Sequence, residues 1–483
     1  MIRTSKSDLK RLEIDISNAS NYEDWHSLAH KHDKLTGKDE WRSTTNTALY
    51  DYSEIKKRFD ALHEKLNEGN AQEVLYCLNE GIHGNMGGMG NPSLYSQAKS
   101  GTKQLIDNYV SCLENALTFI RDCPKSEISR PDKLNFFQRA SRCYGRSALL
   151  MSGGAGLIYF HHGVAQELTE LDLLPSIISG SSAGSVVSAQ LGTLTDDELR
   201  NDYFTQKRYQ EVNNTGLLDL AIGKISKEDA KVARESTLDE FIANDITFRE
   251  AYEKTGRYIN ISISPNEKQQ TSRLMNAITS PDVYVRSAVS ASSSIPGIMP
   301  SERLYAKGAD GKPRRYLSSR RWVDGSFSGD IPKKRLSRLY GVNHFIVSLI
   351  NPMMIPFVRD HRISSKSRIK SILSEYTSRL LVEILTDIEK SIYKIGYPSN
   401  QAVSKLSYLN RVIDQNYIGD VNIFLPKSHF KWRQTIFKFQ GNEIENLINK
   451  GKENTRDKVA MLNNSMKISK LLDKTLEDLN CTL

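Results

Sequence analysis

Residues 177–185 read Ile177-Ile178-Ser179-Gly180-Ser181-Ser182-Ala183-Gly184-Ser185, a Gly-x-Ser-x-Gly pentapeptide that follows an apolar β-branched run and precedes a helix-like stretch. At a sharp strand-to-helix turn the backbone of a serine is strained, and only small flanking residues let strand and helix approach while the hydroxyl projects outward. The five-residue frame and the register of the following helix select Ser182 over Ser181 as the candidate nucleophile. Gly180 and Gly184 are the small residues of the elbow.

A serine nucleophile needs donors for the oxyanion that develops on the carbonyl it attacks. Upstream, Ala148-Leu149-Leu150-Met151 reads as a strand, and Ser152-Gly153-Gly154-Ala155-Gly156 opens the next helical run. The amides of Gly153, Gly154, Ala155 and Gly156 would face outward at a positive helix end, which makes them the candidate oxyanion site. A dinucleotide site is the rival for such a loop. It calls for Gly-x-Gly-x-x-Gly and an acidic residue near the end of the next strand, where this chain has Gly-Ser-Ser-Ala-Gly.

A base is sought downstream. Arg321-Trp322-Val323-Asp324-Gly325-Ser326 puts an aspartate after an apolar pair and before a glycine, so Asp324 is the candidate base. Asp330 precedes an Ile-Pro turn and reads as a turn or helix-start residue. The chain order Ser182, Asp324, His344 matches that of α/β-hydrolase triads, although His344 begins a β-like run and reads as a strand-end histidine. His161-His162 falls on the helix after the glycine loop, one of the two near the site. His26, His30 and His32 have metal-compatible spacing but no cysteine or clear carboxylate partner, and no metal is expected.

Around these motifs the pattern changes twice. Residues 1–145 carry apolar positions at helical spacing, as in Tyr52, Ile55, Phe59, Leu62 and Leu66, and form a helical domain. Its glycine-rich interruption at residues 81–92 lacks the Lys-Ser/Thr of a phosphate loop and reads as a tight turn. Over residues 146–350 short β-like runs alternate with helical ones, which implies crossover connections and a mainly parallel sheet with ligands at the carboxyl ends of its strands. Residues 351–483 return to helical periodicity with a basic bias. Met353-Met354-Ile355-Pro356-Phe357-Val358 followed by Arg359, Arg362, Lys366, Arg368 and Lys370 has the composition of a peripheral membrane contact, or of a connector before a solvated helix face.

The 483 residues suffice for two or three domains, and 39% hydrophobic with 25% charged residues fits a globular class. Five scattered cysteines give no disulfide or metal spacing. The polar start MIRTSKSDLK lacks a signal-peptide core, and no apolar run is long enough to span a bilayer, so a cytoplasmic protein is expected. A net charge of +9 suits an anionic partner. The basic stretches lack interleaved aromatics and zinc-finger spacing, which excludes nucleic acid from the expected partners.

The glycine-rich loop, the Gly-x-Ser-x-Gly elbow and the Asp-Gly turn, in that order and in an alternating αβ frame, resemble the patatin-like phospholipase family. The helical first domain, Asn21-Tyr22-Glu23-Asp24-Trp25, the loop from His83 to Tyr95, the small-residue helix from Ala288 to Pro296 and Val342-Asn343-His344-Phe345-Ile346-Val347-Ser348 resemble the subgroup of intracellular triacylglycerol lipases. The resemblance covers roughly residues 20–370. It implies an α/β fold with a three-layer patatin-like core, and a Ser182–Asp324 dyad with no histidine and no cofactor. The implied activity is hydrolysis of glycerolipid esters at a membrane or lipid-droplet surface. Acyl transfer to a lipid acceptor and non-catalytic lipid binding are the alternatives. Two departures stand out: Leu157 and Ile158 occupy the place of the family's basic oxyanion-loop residue, and Ser326 follows Asp-Gly. Ile295, Ile298, Met299 and residues 353–358 are the candidate acyl-chain surfaces.

Overall fold

A computed structural model describes residues 6–205, 246–267, 271–296, 299–352, 417–426 and 442–481, with Met354 and scattered positions within 226–242. The chain divides into two compact units. One joins the residues up to Ser147 to Tyr340–His344 and to those from Arg456 onward; the other holds Ala148–Leu339 and Phe345–Thr455.

The first unit is helical. It comprises α1 (Lys6–Ser17), α2 (Tyr22–Leu35), α3 (Lys38–Ser43), α4 (Tyr52–Glu68), α5 (Ala71–Asn79), α6 (Gln104–Asp122) and α7 (Arg130–Tyr144). Side-chain caps set the starts: Asn21, Asp51, Asn70 and Ser129 each accept a first-turn amide of the helix that follows. The central helix α6 buries Ile106, Leu113, Leu117 and Ile120 at helical spacing. The loop from residue 81 onward holds two short 3₁₀ turns, Met86–Gly88 and Pro92–Leu94, and Gly87 at φ 54 and Gly88 at φ 78 occupy the left-handed region that glycine tolerates best. The Gly87 carbonyl accepts the Asp51 amide at 2.7 Å, so this loop seats the start of α4. His26 bonds the Ser100 carbonyl, His30 lies 3.9 Å from Asp39 and His32 lies 3.6 Å from Asp33; the three do not converge.

The second unit is α/β. Its strands are β1 (Arg146–Met151), β2 (Ile177–Gly180), β3 (Tyr258–Pro265), β4 (Arg273–Met275), β5 (Leu304–Lys307), β6 (Pro313–Tyr316), β7 (Trp322–Asp324), β8 (Val342–Leu349) and β9 (Val421–Phe424). The main sheet runs β4-β3-β2-β1-β8-β9. Its β1–β2, β2–β3 and β8–β9 pairs are parallel. Two antiparallel strands modify the expected pattern, β4 on one side of β3 and β7 against the end of β3 that extends past β2. Ala148, Leu149, Leu150, Met151, Ile177 and Ile178 are wholly buried, which suits strands covered on both faces by helices. Helices of this unit include α8 (Ile158–Glu170), α9 (Ala183–Thr193), α10 (Phe248–Thr255), α11 (Val285–Ser292), α12 (Ser326–Gly329), α13 (Lys333–Tyr340) and α14 (Glu443–Arg456). Helices α8 and α14 touch backbone to backbone, since a Cβ at Gly163 would collide with the Ile448 carbonyl and one at Gly451 with that of Phe160.

The boundary expected at residue 351 is not where the contacts divide the chain. Strand β9 extends the main sheet through its pairing with β8, and α15 (Val459–Cys481) packs on α6 and α7 of the helical unit. Asp473 pairs with Arg146 at 3.0 Å, and Asn464 bridges the Tyr144 hydroxyl to Asp107. Both elements are short of local signals that announce which layer they join; burial of Ile423 and Leu472 against distant partners decides it. Ile298, Met353, the segment 355–358 and the cations from Arg359 to Lys370 lie outside the described residues.

Candidate active site

Strand β2 ends at Gly180 and α9 begins at Ala183, so Ser181 and Ser182 make the whole turn. Ser182 sits at φ 49, ψ −120, a conformation that costs a non-glycine residue about 1–3 kcal/mol and must be imposed by its surroundings. The surroundings do so. A Cβ at Gly180 would collide with the Gly184 carbonyl, and one at Gly184 with the Met151 carbonyl. The Ser182 amide donates to Ser292 Oγ at 2.9 Å, and that hydroxyl donates to the Ser262 carbonyl at 2.8 Å. The small-residue helix α11 thus brings Ser292 against the turn.

Asp324 closes β7 opposite Ile263 of β3. Its neighbour Gly325 has no room for a side chain because a Cβ would overlap the Ser262 carbonyl. The carboxylate is 1% exposed and accepts the Ser326 amide at 2.8 Å. Burial pushes its pKa up to about 7, hydrogen bonds from Ser182 and Ser326 pull it down, and the nearby Asp330 charge raises it further. The two residues singled out in the sequence, Ser182 and Asp324, are therefore brought into hydrogen-bond contact, and the Asp324 carboxyl lies near neutrality.

The glycine loop passes over this pair: a Cβ at Gly153 would lie 3.1 Å from that of Ser182 and 2.9 Å from that of Ser326. Gly153 departs from its expected role as an oxyanion donor, because its N–H already donates to Asp330 Oδ1 at 2.9 Å. The amides of Gly154, Ala155 and Gly156 have no acceptor among the described residues. Neither has the amide of Ala183, the residue after the serine, which sequence reading did not include. Ala155 holds φ 50, so this loop also carries backbone strain.

Asp330, weighed from the sequence as a competitor of Asp324 and read there as a turn or helix-start residue, also lies at this site. It is 1% exposed and accepts the Gly153 amide, the Ser181 hydroxyl and, at 3.2 Å, the Asn351 side-chain amide, with Tyr417 hydrogen-bonded as well. Burial pushes its pKa up to about 6 against the pull of those donors. One carboxylate thereby ties the glycine loop to the elbow and to the segment after β8.

The histidines His161, His162 and His344 have other hydrogen-bond partners. His161 is buried between Ser348 Oγ at 2.7 Å and the Ser152 carbonyl at 2.9 Å, and burial lowers its pKa to about 3, so it stays neutral and braces the start of the glycine loop. His162 faces Gln190 and Tyr203. His344 bonds Ser147 Oγ at 2.9 Å, at the amino-terminal end of β1, whereas the elbow contacts Met151 at the carboxyl end of that strand. Four residues of strand separate those ends by roughly 13 Å. His344→Ala is expected to keep wild-type kcat within about threefold, where loss of a triad histidine costs several orders of magnitude. Steady-state ester hydrolysis reads the difference.

A strained serine thus stands at the carboxyl end of a parallel strand of an α/β fold, beneath a glycine loop and beside a buried aspartate. The chain carries a patatin-like phospholipase domain and a second family domain before it: residues 149–334 match "Patatin-like phospholipase" and residues 2–142 match "Domain of unknown function (DUF3336)". It is 33% identical over 95% of its length to triacylglycerol lipase 4 of Saccharomyces cerevisiae, covering 52% of that protein. It is 30% identical over 96% of its length to triacylglycerol lipase SDP1L of Arabidopsis thaliana, covering 58%. The chain thus spans a little over half the length of these curated relatives. A solved structure, VipD from Legionella pneumophila, aligns at 13% identity and a TM-score of 0.33 over 69% of this chain and 67% of that one.

Proposed function

We propose that this chain is a serine acylhydrolase that cleaves fatty-acid esters of glycerolipids. The observation that carries the reading is the meeting of Ser182, strained and 8% exposed, with Asp324, a buried carboxylate hydrogen-bonded to it and held near pKa 7. The names of the triacylglycerol lipases to which the chain is similar support a glycerolipid substrate.

Ser182 Oγ adds to the ester carbonyl as its proton passes to Asp324. The oxyanion is received by the amides of Gly154, Ala155, Gly156 and Ala183, which have no acceptor among the described residues. The tetrahedral species collapses, and the glycerolipid alcohol leaves with the proton from Asp324. Water then gives its proton to Asp324 and adds to the acyl-serine, and collapse releases the fatty acid and restores the Ser182 hydroxyl. Such substrates are presented at a membrane or lipid-droplet surface, and the net charge of +9 favours an anionic one. Among the described residues no helix is long and apolar enough to cross a membrane.

A fluorophosphonate probe is expected to label the wild-type chain and to leave Ser182→Ala unlabelled. Release of fatty acid from a triacylglycerol emulsion should fall with it. Undiminished hydrolysis by purified Ser182→Ala would overturn the reading. Labelled lysolipid or glycerol added to the assay separates water from lipid as acyl acceptor.

A further inference from the structure

Beyond Asp324, the α/β unit has an open cavity of about 390 Å³ to which Ser272, Arg273, Thr279, Tyr316, Arg335 and Arg338 contribute. Three arginines and four hydroxyl-bearing residues, Ser280 among them, line it, and no carboxylate is among its lining residues. None of the three arginines has an acidic partner among the described residues, although arginines elsewhere in the same unit do: Arg200 with Asp172, Arg249 with Asp282, Arg257 with Asp196 and Arg286 with Glu235.

Arg335 is half-buried, and removal from water disfavours its charged form. A guanidinium withdrawn from solvent calls for a counter-charge, because its lost hydration must be replaced. Arg335 and Arg338 are three residues apart on α13 and share one face. Arg273 reaches the cavity from edge strand β4, its guanidinium 5.7 Å from the centre of the Trp322 ring. Guanidinium groups pair with phosphate oxygens through two parallel hydrogen bonds, and the neighbouring hydroxyls add further donors.

We infer that the groove between β4 and α13 is a binding site for a phosphate monoester, with Arg273, Arg335 and Arg338 as its ligands. The site stands beside the catalytic sheet region. Arg273 and Asp324 flank Ile263 in register from opposite sides, so the two lie on one face, two strand spacings or about 10 Å apart. The phosphate belongs either to a lipid headgroup or to a small soluble ester, and both present the same oxygens to the arginines.

The test uses the full chain and needs no turnover, so it stands or falls independently of the ester hydrolysis proposed above. Sedimentation is measured with phosphatidylcholine vesicles, alone and with about 10 mol% phosphatidic acid. Thermal unfolding is measured with and without inorganic phosphate, and unliganded midpoints verify that each variant folds. Wild type is expected to bind the phosphatidic acid vesicles at least about tenfold more tightly, or to gain stability with phosphate. Arg335→Gln combined with Arg338→Gln should lose that response. Lys334→Gln, which removes one positive charge from the same helix outside this cavity, should keep it within about twofold. A response to vesicles alone assigns the headgroup, and one to phosphate alone assigns a soluble ligand. No response in wild type, retention in the double arginine variant, or an equal loss in Lys334→Gln would overturn the inference.

Discussion

Asp324→Asn is expected to leave ester hydrolysis about four orders of magnitude below wild type at pH 8, because asparagine cannot take the Ser182 proton. The pH profile of the wild-type chain gives the matching signature. Only ionised Asp324 acts as a base, and its pKa is raised to about 7, so kcat/KM should rise with pH and level off above that value. The same shift has the opposite sign for stability. A carboxyl whose pKa is higher folded than unfolded favours the native state while protonated, and that contribution is lost as pH rises from the ordinary carboxyl range through about 7. Asp324→Asn should therefore unfold at a higher temperature than wild type at pH 8, with the gap closing toward pH 4. A variant that is inactive and also destabilised at pH 8 would contradict the charge argument.

Asp330→Asn is expected to lower kcat about a hundredfold while leaving KM nearly unchanged. Asparagine offers an NH₂ group where the carboxylate accepts the Gly153 amide, the Ser181 hydroxyl and the Asn351 amide, so at least one of those ties becomes a clash of donors. The glycine loop then shifts over Ser182, and the oxyanion amides shift with it. Ser181→Ala removes one tie and should have a milder effect. A second measurement separates this positioning role from general damage. The Asp330 charge helps to raise the Asp324 pKa, so its removal should move the inflection of the pH profile to lower pH. An unchanged inflection together with unchanged kcat would remove Asp330 from the site's electrostatics.

The difference between these two aspartates shows what a sequence discloses. Asp324 was legible because Gly325 and the apolar pair Trp322-Val323 leave the carboxylate little choice but to end a strand at a tight turn. Ser182 was legible for a related reason, since Gly180 and Gly184 have a local steric purpose that a pentapeptide displays. Asp330 looked like a turn residue because its partners arrive from residues 153, 181, 351 and 417, none of them near in sequence. The antiparallel direction of β7 was equally hidden: three residues carry no directional signal, and the pairing with Ile263, Ser264 and Pro265 creates it. Parallel β1, β2 and β3 were legible as apolar runs separated by helical ones.

The placement of α15 on α6 and α7 bears on how this chain is made. Helix α7 ends at residue 144 and α15 begins at residue 459. At ordinary translation speeds, the intervening stretch takes roughly 15–60 s to synthesise. Throughout that interval the apolar surface that α15 finally covers has no native partner, and the α/β unit is completed first in the order of emergence. The helical unit is therefore the part of this protein that depends on protection from aggregation during synthesis, although its residues up to Ser147 leave the ribosome first.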